Sequence, residues 1–395
     1  MIVLYLAGAI LLILFLPVRG ARHRFFEAPV HRMHEADAVL SRRLLEPGTP
    51  AYDAYYRDHP QLQEADDLSR SKPGLLSERT SYYHPSTFAA AKINFELIDA
   101  LGNLCLGNPS EKKQHSSPAP YARFIRQWLL KTGAHSVGFT SLKDYHLYSH
   151  KGRGPDAGKE IKQVHGHAIA ICVEMDHRMM QSAPQGSAVM ESSEQYLRSA
   201  VLAIKLAAWI RELGYEARAH IDGNYEVICP LVAADAGLGT MGRMGLLITP
   251  KLGPRVRIAV VTTSLPLPKG PARTHRSAFT RSCIHFCELC KKCAQVCPTA
   301  AIPDGDRKRK QGVKRWQIDS EKCYHYWTLS GTDCGRCMAV CPFSHPDDAF
   351  HRFIRWGIKN NLLFRYLAIK LDDVFYGRKP SIRPLPVWTQ LFKTK

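Results

Sequence analysis

Apolar positions along this chain keep three different rhythms. Ile2 to Val18 is a continuous apolar run without a charge, about the shortest stretch that crosses a bilayer as a helix. Arg19, Arg22, His23 and Arg24 follow it at once. A cleavable signal peptide would carry basic residues before the apolar core and a small-residue cleavage site after it, so residues 1–20 read as a retained single-pass anchor. The basic flank then keeps the catalytic part of the chain in the cytoplasm. The adjacent arginine pair Arg42-Arg43 lies too far beyond the run to act as a twin-arginine export signal.

The other two rhythms share the middle of the chain. Residues 21–118 mix Pro, Ser, His and charge and read as an N-terminal extension, with helical patches at His34 to Leu45 and Ser86 to Leu104 and a loop from Gly107 to Pro120. Between residues 119 and 272, spacing of 3.6 predicts helices over Tyr121 to Lys131, over Ser193 to Leu213 ending at Gly214, and briefly over Leu231 to Ala236. Short apolar or alternating stretches predict strands at Ser136 to Thr140, His167 to Val173, Tyr215 to Ile221 and Arg255 to Thr262. The core is therefore mixed, α/β or α+β. In the tail, residues 351–395, Phe353, Trp356, Leu363, Phe364 and Tyr366 alternate with Arg352, Arg355, Lys359, Arg365 and Lys370. A basic amphipathic helix of this kind suits an anionic membrane surface.

The formal charge is +19 over 395 residues, and part of it sits in Asp306 to Lys310 with Lys314-Arg315, a solvated loop. Excess basic charge also suits nucleic acid, but no recognised nucleic-acid module is present, and the membrane is the expected partner.

That basic loop separates two cysteine runs. Cys287, Cys290, Cys293 and Cys297-Pro298 spell C-x2-C-x2-C-x3-C-P; Cys323, Cys334, Cys337 and Cys341-Pro342 follow. The spacing is that of paired 4Fe–4S clusters, in which the fourth cysteine of each run ligates the other cluster. One cluster takes Cys287, Cys290, Cys293 and Cys341, the other Cys323, Cys334, Cys337 and Cys297. Four-cysteine zinc sites usually come as two C-x2-C pairs, and disulfide frameworks belong to small secreted domains. Residues 273–350 are thus a ferredoxin-like electron relay. Cys105, Cys172, Cys229 and Cys283 read as small buried hydrophobes, although Cys283 lies close enough to the first run to compete as a ligand.

Ala234 to Pro250 carries Gly237, Gly239, Gly242 and Gly245. It fails as a dinucleotide fingerprint, because the glycines follow a short helix instead of leaving a strand. Two explanations stay open: a packed turn, or backbone brought against a large flat cofactor.

The order AGLG-x-x-GR-x-G-x-LITP-x-x-GPRVR, then Thr263 to Leu267, then the cysteine runs, resembles the corrinoid-dependent reductive dehalogenases and, more distantly, epoxyqueuosine reductase. The likeness covers Tyr121 to Pro346. It implies a nitroreductase-like core holding cobalamin without a protein imidazole on cobalt, with Gly237, Leu238, Gly239, Gly242, Arg243 and Gly245 at the cofactor. It further implies removal of halide from an organohalide by cob(I)alamin, fed by the two clusters from a ferredoxin, a flavodoxin or a membrane quinol chain. The family acid is a tyrosine assisted by a cation, which maps to Tyr196 and Arg255, with Tyr225 and Arg257 as alternates and the phenol pKa lowered by the cation. Asp222 falls where the family carries a substrate-orienting polar residue and where the epoxyqueuosine enzymes carry a proposed acid. The alternatives are an enzyme of that second kind and a membrane ferredoxin without corrinoid.

Overall fold

In the computed structural model the described residues are 13–14, 16, 29, 31–270 and 278–391. Apart from Ile13, Leu14 and Leu16, the expected anchor lies outside them. Among the described residues no helix is long and apolar enough to cross a membrane.

The centre is a sheet in the order β1-β2-β6-β3, antiparallel at every pairing. Its strands are β1 (Ser136–Ser141), β2 (His167–Glu174), β3 (Ala217–His220) and β6 (Val256–Thr263). Of the two expected classes, this is α+β. The period of two along β2 explains its near-complete burial, since both faces are covered. Ile169, Ile171 and Val173 point into one apolar cluster, and Ala168, Ala170 and Cys172 into another. Each fully buried isoleucine contributes about 1.5–3 kcal/mol by leaving water.

Three helices build the first cluster: α1 (Pro85–Leu101), α2 (Pro118–Lys131) and α3 (Gly186–Glu212). α3 begins seven residues before its expected start, because Gly186, Ser187, Ala188, Ser192 and Ser193 carry no apolar signal yet pack tightly. A Cβ on Gly186 would sit 2.2 Å from Thr87 Oγ1 of α1. The N-terminal extension belongs to this body. Met33 bridges Tyr148, and the buried Glu35 carboxylate accepts from Gly152 N at 2.8 Å and binds Arg153 at 2.8 Å. The second cluster lies under α4 (Cys229–Asp235) and the small hairpin of β4 (Thr240–Met241) and β5 (Leu247–Ile248).

The cluster domain follows: α5 (Ala278–Cys290), α6 (Lys292–Gln295), a basic hairpin of β7 (Lys308–Lys310) and β8 (Val313–Arg315), α7 (Ser320–Ser330) and α8 (Arg336–Ala339). The tail forms α9 (Ala349–Asn360) and α10 (Leu362–Tyr376), two helices with one face packed on this domain through Ile358, Phe364, Ala368 and Ile369. The basic, amphipathic tail expected over residues 351–395 is thus helical, and part of its charge is internal. Arg355 and Arg365 are buried, their guanidinium groups donating to the carbonyls of His345, Pro346 and Ile358.

Candidate active site

α6 and α8 are preceded by matching backbone turns. Lys291 and Gly335, each the second residue of a C-x2-C pair, adopt positive φ of 55° and 68°. The turns wrap each chain segment around its cysteines. Cys341 lies within electrostatic reach of Cys287, Cys290 and Cys293. Cys334 feels Cys323 and Cys297, and Cys337 feels Cys334, Cys293, Cys323 and Cys297. Among the described residues no three His, Cys, Asp or Glu side chains converge tightly enough for a single metal ion; a cube spreads its four thiolates over four irons. Cys283 lies one helical turn before Cys287, fully buried, and hydrogen-bonds its thiol. Lys292, between Cys290 and Cys293, is buried as an ion pair with Asp372 of α10, whose other carboxylate oxygen lies 2.6 Å from His345 Nε2.

A cavity of about 280 Å³ opens where α3, the end of β3, α4 and the start of β6 meet. Tyr148, Tyr196, Asp222, Tyr225 and Arg257 supply its polar lining; Pro230, Leu246, Leu247 and Ile258 are among its apolar members. The guanidinium carbon of Arg257 lies 4.5 Å from the Tyr196 ring centroid, and that of Arg153 lies 4.8 Å from the Tyr225 ring. Arg257 also hydrogen-bonds Ser192 and, at 2.6 Å, Asp333, the residue before Cys334.

The electrostatics follow from burial. Desolvation pushes the Tyr196 phenol up to about 12, outweighing the Arg257 charge that lowers it. The expected cation-lowered phenol is therefore reversed: Tyr196 stays protonated. Burial also raises Asp222, against the pull of Arg153 and Arg257, and raises Tyr225 well above the ordinary phenol. Burial works against the Arg257 charge, but Tyr196, Asp333 and Asp222 outweigh it and hold the guanidinium firmly protonated.

Of the expected pair, Tyr196 is in the cavity and Arg255 is not. Arg255 precedes β6 in a turn, so strand alternation does not carry it to the face of Arg257. It is buried, donating to the carbonyls of Ser344 (2.6 Å) and Met175 and pairing with Glu174. Arg257 takes the place beside the phenol. Tyr148 and Asp333 carry no motif signal: Tyr148 lies in a loop, and Asp333 reads only as a charge beside a ligand.

The glycine segment divides. Gly237, at φ +81°, ends α4, with Gly237 N and Leu238 N donating back to Ala234 and Ala233. A Cβ on Gly239 would meet the Ile248 carbonyl oxygen at 2.4 Å, so this glycine serves the hairpin. Arg243 is buried and donates to the carbonyls of Cys287, Pro303 and Gly305, tying core to cluster domain. Gly237, Leu238, Gly239 and Arg243 thus have packing roles. Gly242 and Gly245 border a second cavity of about 190 Å³ beside Trp316 and Ile318, and the next residues, Leu246-Leu247, line the first.

The donor set fits a flat macrocycle with a small substrate. Aliphatic walls adjoin three phenols that make no hydrogen bond to a described residue, and the buried Arg257 Nε has no partner. None of the cavity's lining residues is a histidine.

Comparison with known proteins now adds to this geometry. Residues 286–345 match the 4Fe–4S dicluster domain family. The tetrachloroethene reductive dehalogenase of Sulfurospirillum multivorans is 36% identical over 225 residues, 55% of this chain and 43% of that protein. Over this span the chain is similar to the reductive dehalogenases. A second, from Desulfitobacterium hafniense, is 32% identical over 253 residues, 60% of this chain and 43% of its own. The solved catabolic reductive dehalogenase NpRdhA superposes with a TM-score of 0.72 at 24% identity, over 92% of this chain and 50% of that one, which shows the shared fold. The chain spans about half the length of the relatives it matches.

Proposed function

We propose that this chain is a corrinoid-dependent reductive dehalogenase-like enzyme that replaces a carbon–halogen bond of an organohalide by carbon–hydrogen. The observation that carries the reading is the single cavity where Tyr196, Arg257 and Asp222 meet, linked through Asp333 to the cysteines of a cluster. The conversion consumes two electrons and one proton and frees halide.

A bound corrinoid would supply the strongly reducing centre that the carbon–halogen bond requires. Pro230, Leu246, Leu247 and Ile258 would hold it by apolar contact. Tyr196 keeps its proton at neutral pH because burial disfavours the phenolate, and it delivers that proton to carbon. Arg257, beside the ring, stabilises the phenolate left behind. Asp222 orients the substrate. Cys287, Cys290, Cys293 and Cys341 would hold one cluster and Cys297, Cys323, Cys334 and Cys337 the other, and the pair would supply one-electron transfer from a donor.

The relatives' names speak of tetrachloroethene, and NpRdhA has been solved with 3-bromo-4-hydroxybenzoic acid; a cavity of about 280 Å³ takes substrates of that size. Residues 1–20 would tether the enzyme to a membrane with its core in the cytoplasm. The test is anaerobic turnover with reduced methyl viologen over halogenated phenols and ethenes. Halide release supports the reading. Corrinoid without halide release points to an epoxyqueuosine-type reductase, and iron without corrinoid to an electron carrier.

A further inference from the structure

Arg243 is fully buried, and no carboxylate among the described residues pairs with it. Its guanidinium donates to four main-chain carbonyls, those of Cys287 at 3.0 Å, Glu288 at 3.5 Å, Pro303 at 2.7 Å and Gly305 at 2.8 Å. Cys287 and Glu288 lie in the last turn of α5, whose carbonyls have no donor within the helix. The guanidinium carbon also lies 4.6 Å from the Trp316 ring centroid, which holds the group from its flat side.

A Cβ built on the adjacent Gly242 would sit 3.8 Å from Cys287 Sγ, so this segment runs against the first cysteine run. Charged neighbours there pair off: Arg307 with Glu288 at 2.9 Å, Lys291 with Asp304 at 3.8 Å, and Lys292 with Asp372. Arg378, whose guanidinium reaches the Cys290 carbonyl, pairs with Asp373 at 3.4 Å. Arg243 is left with carbonyl dipoles, which satisfy its hydrogen bonds without cancelling its net charge. Being buried, that charge is also little screened by salt.

We propose that Arg243 raises the reduction potential of the cluster held by Cys287, Cys290, Cys293 and Cys341, so that this site takes an electron from the donor more readily. The inference rests on the cluster reading proposed above. Reduction adds one electron and one negative charge, with no proton moved and no bond broken, and a fixed cation nearby favours the more negative form. Arg243 is thus a tuning residue and not a ligand. Tying core to cluster domain needs the planar fork of its side chain, whereas tuning needs only the charge.

The test is a redox titration of the full-length holoprotein, loaded anaerobically, with each one-electron step followed by electron paramagnetic resonance and iron per chain measured alongside. R243M should keep both clusters and make reduction of one of them at least about tenfold less favourable, a fall of about 59 mV for one electron, with a smaller change at the other. R243K keeps the charge and should stay near the parent. G305D leaves the buried side chain in place: a Cβ at Gly305 meets nothing within 4 Å, and the new carboxylate comes within reach of the guanidinium that donates to Gly305 O. It should lower the same potential relative to G305N, its uncharged isostere, and less so at high salt. Unchanged potentials in R243M overturn the inference while the cluster reading stands, as does a G305D protein matching G305N where R243M takes up no iron. R243K falling as far as R243M assigns the effect to packing and overturns it too. A parent protein without iron overturns the cluster reading and this inference together.

Discussion

Arg257 Nη2 lies 2.6 Å from Asp333 Oδ2, which places the cavity's arginine one residue from the cluster cysteine Cys334. The same guanidinium lies over the Tyr196 ring, so one side chain touches both the proposed proton donor and the segment that carries Cys334. Removing it takes the counter-charge from Asp333, which is largely buried and keeps only the Ser192 hydroxyl as a donor at 2.5 Å, at a cost of up to about 3–5 kcal/mol. R257K keeps the charge but loses the planar fork. The expected outcome is a folded R257K protein with full iron content and kcat/KM lowered at least about tenfold, against an R257A protein whose thermal midpoint also falls. Equal activity in R257K and the parent removes Arg257 from the mechanism.

Tyr196 is tested by Y196F, which takes away one proton and little volume. Turnover should fall by about 10²–10⁴ while iron and corrinoid stay bound. The pH dependence has a definite sign. The folded phenol, at about 12, lies above its ordinary 10, so the associated stability is fully present below pH 10 and is lost as pH rises through 12. The neutral range should therefore show no alkaline limb from this group; a limb with a midpoint near pH 7–8 would contradict Tyr196 as the acid.

Asp372 anchors the tail helix to the cluster domain by neutralising Lys292 between Cys290 and Cys293. D372N strands a buried ammonium, with an expected loss of about 3–5 kcal/mol. Iron-to-protein ratio and thermal midpoint should fall together. A D372N protein with unchanged midpoint would show that the Lys292–Asp372 pair does not hold the tail helix to the cluster domain.

Two glycines in one segment should differ. A Cβ at Gly239 meets backbone, the Ile248 carbonyl oxygen at 2.4 Å, whereas at Gly242 it meets Ile248 Cδ1 at 2.3 Å, the movable end of a side chain. G239A should cost about 1–3 kcal/mol and G242A less, as read by denaturant midpoints. The reverse order would mean that the hairpin yields more readily than the isoleucine.

Much of this was legible in the residues, for physical reasons. β2 alternates between two cores, so its apolar run spans the whole strand, and the cysteine spacing is set by turns that the backbone repeats at Lys291 and Gly335. Less legible was anything decided by tertiary contact. The first turns of α3 are built from small residues whose value lies in close approach to α1. Arg255 and Arg257 look equivalent until the turn before β6 separates them. Glycine runs announce tight backbone without saying against what, and here Gly239 packs on Ile248 while Gly242 and Gly245 border a cavity. The basic tail hides two buried arginines, because a charge satisfied by carbonyls reads in sequence like one in water.

The central claim is that paired clusters serve a corrinoid at the Tyr196 cavity. Metal analysis of the protein, produced anaerobically with cobalamin supplied, tests it most directly. The account predicts about eight irons and one cobalt per chain, with the cobalt retained through gel filtration; iron at that level without cobalt would contradict it.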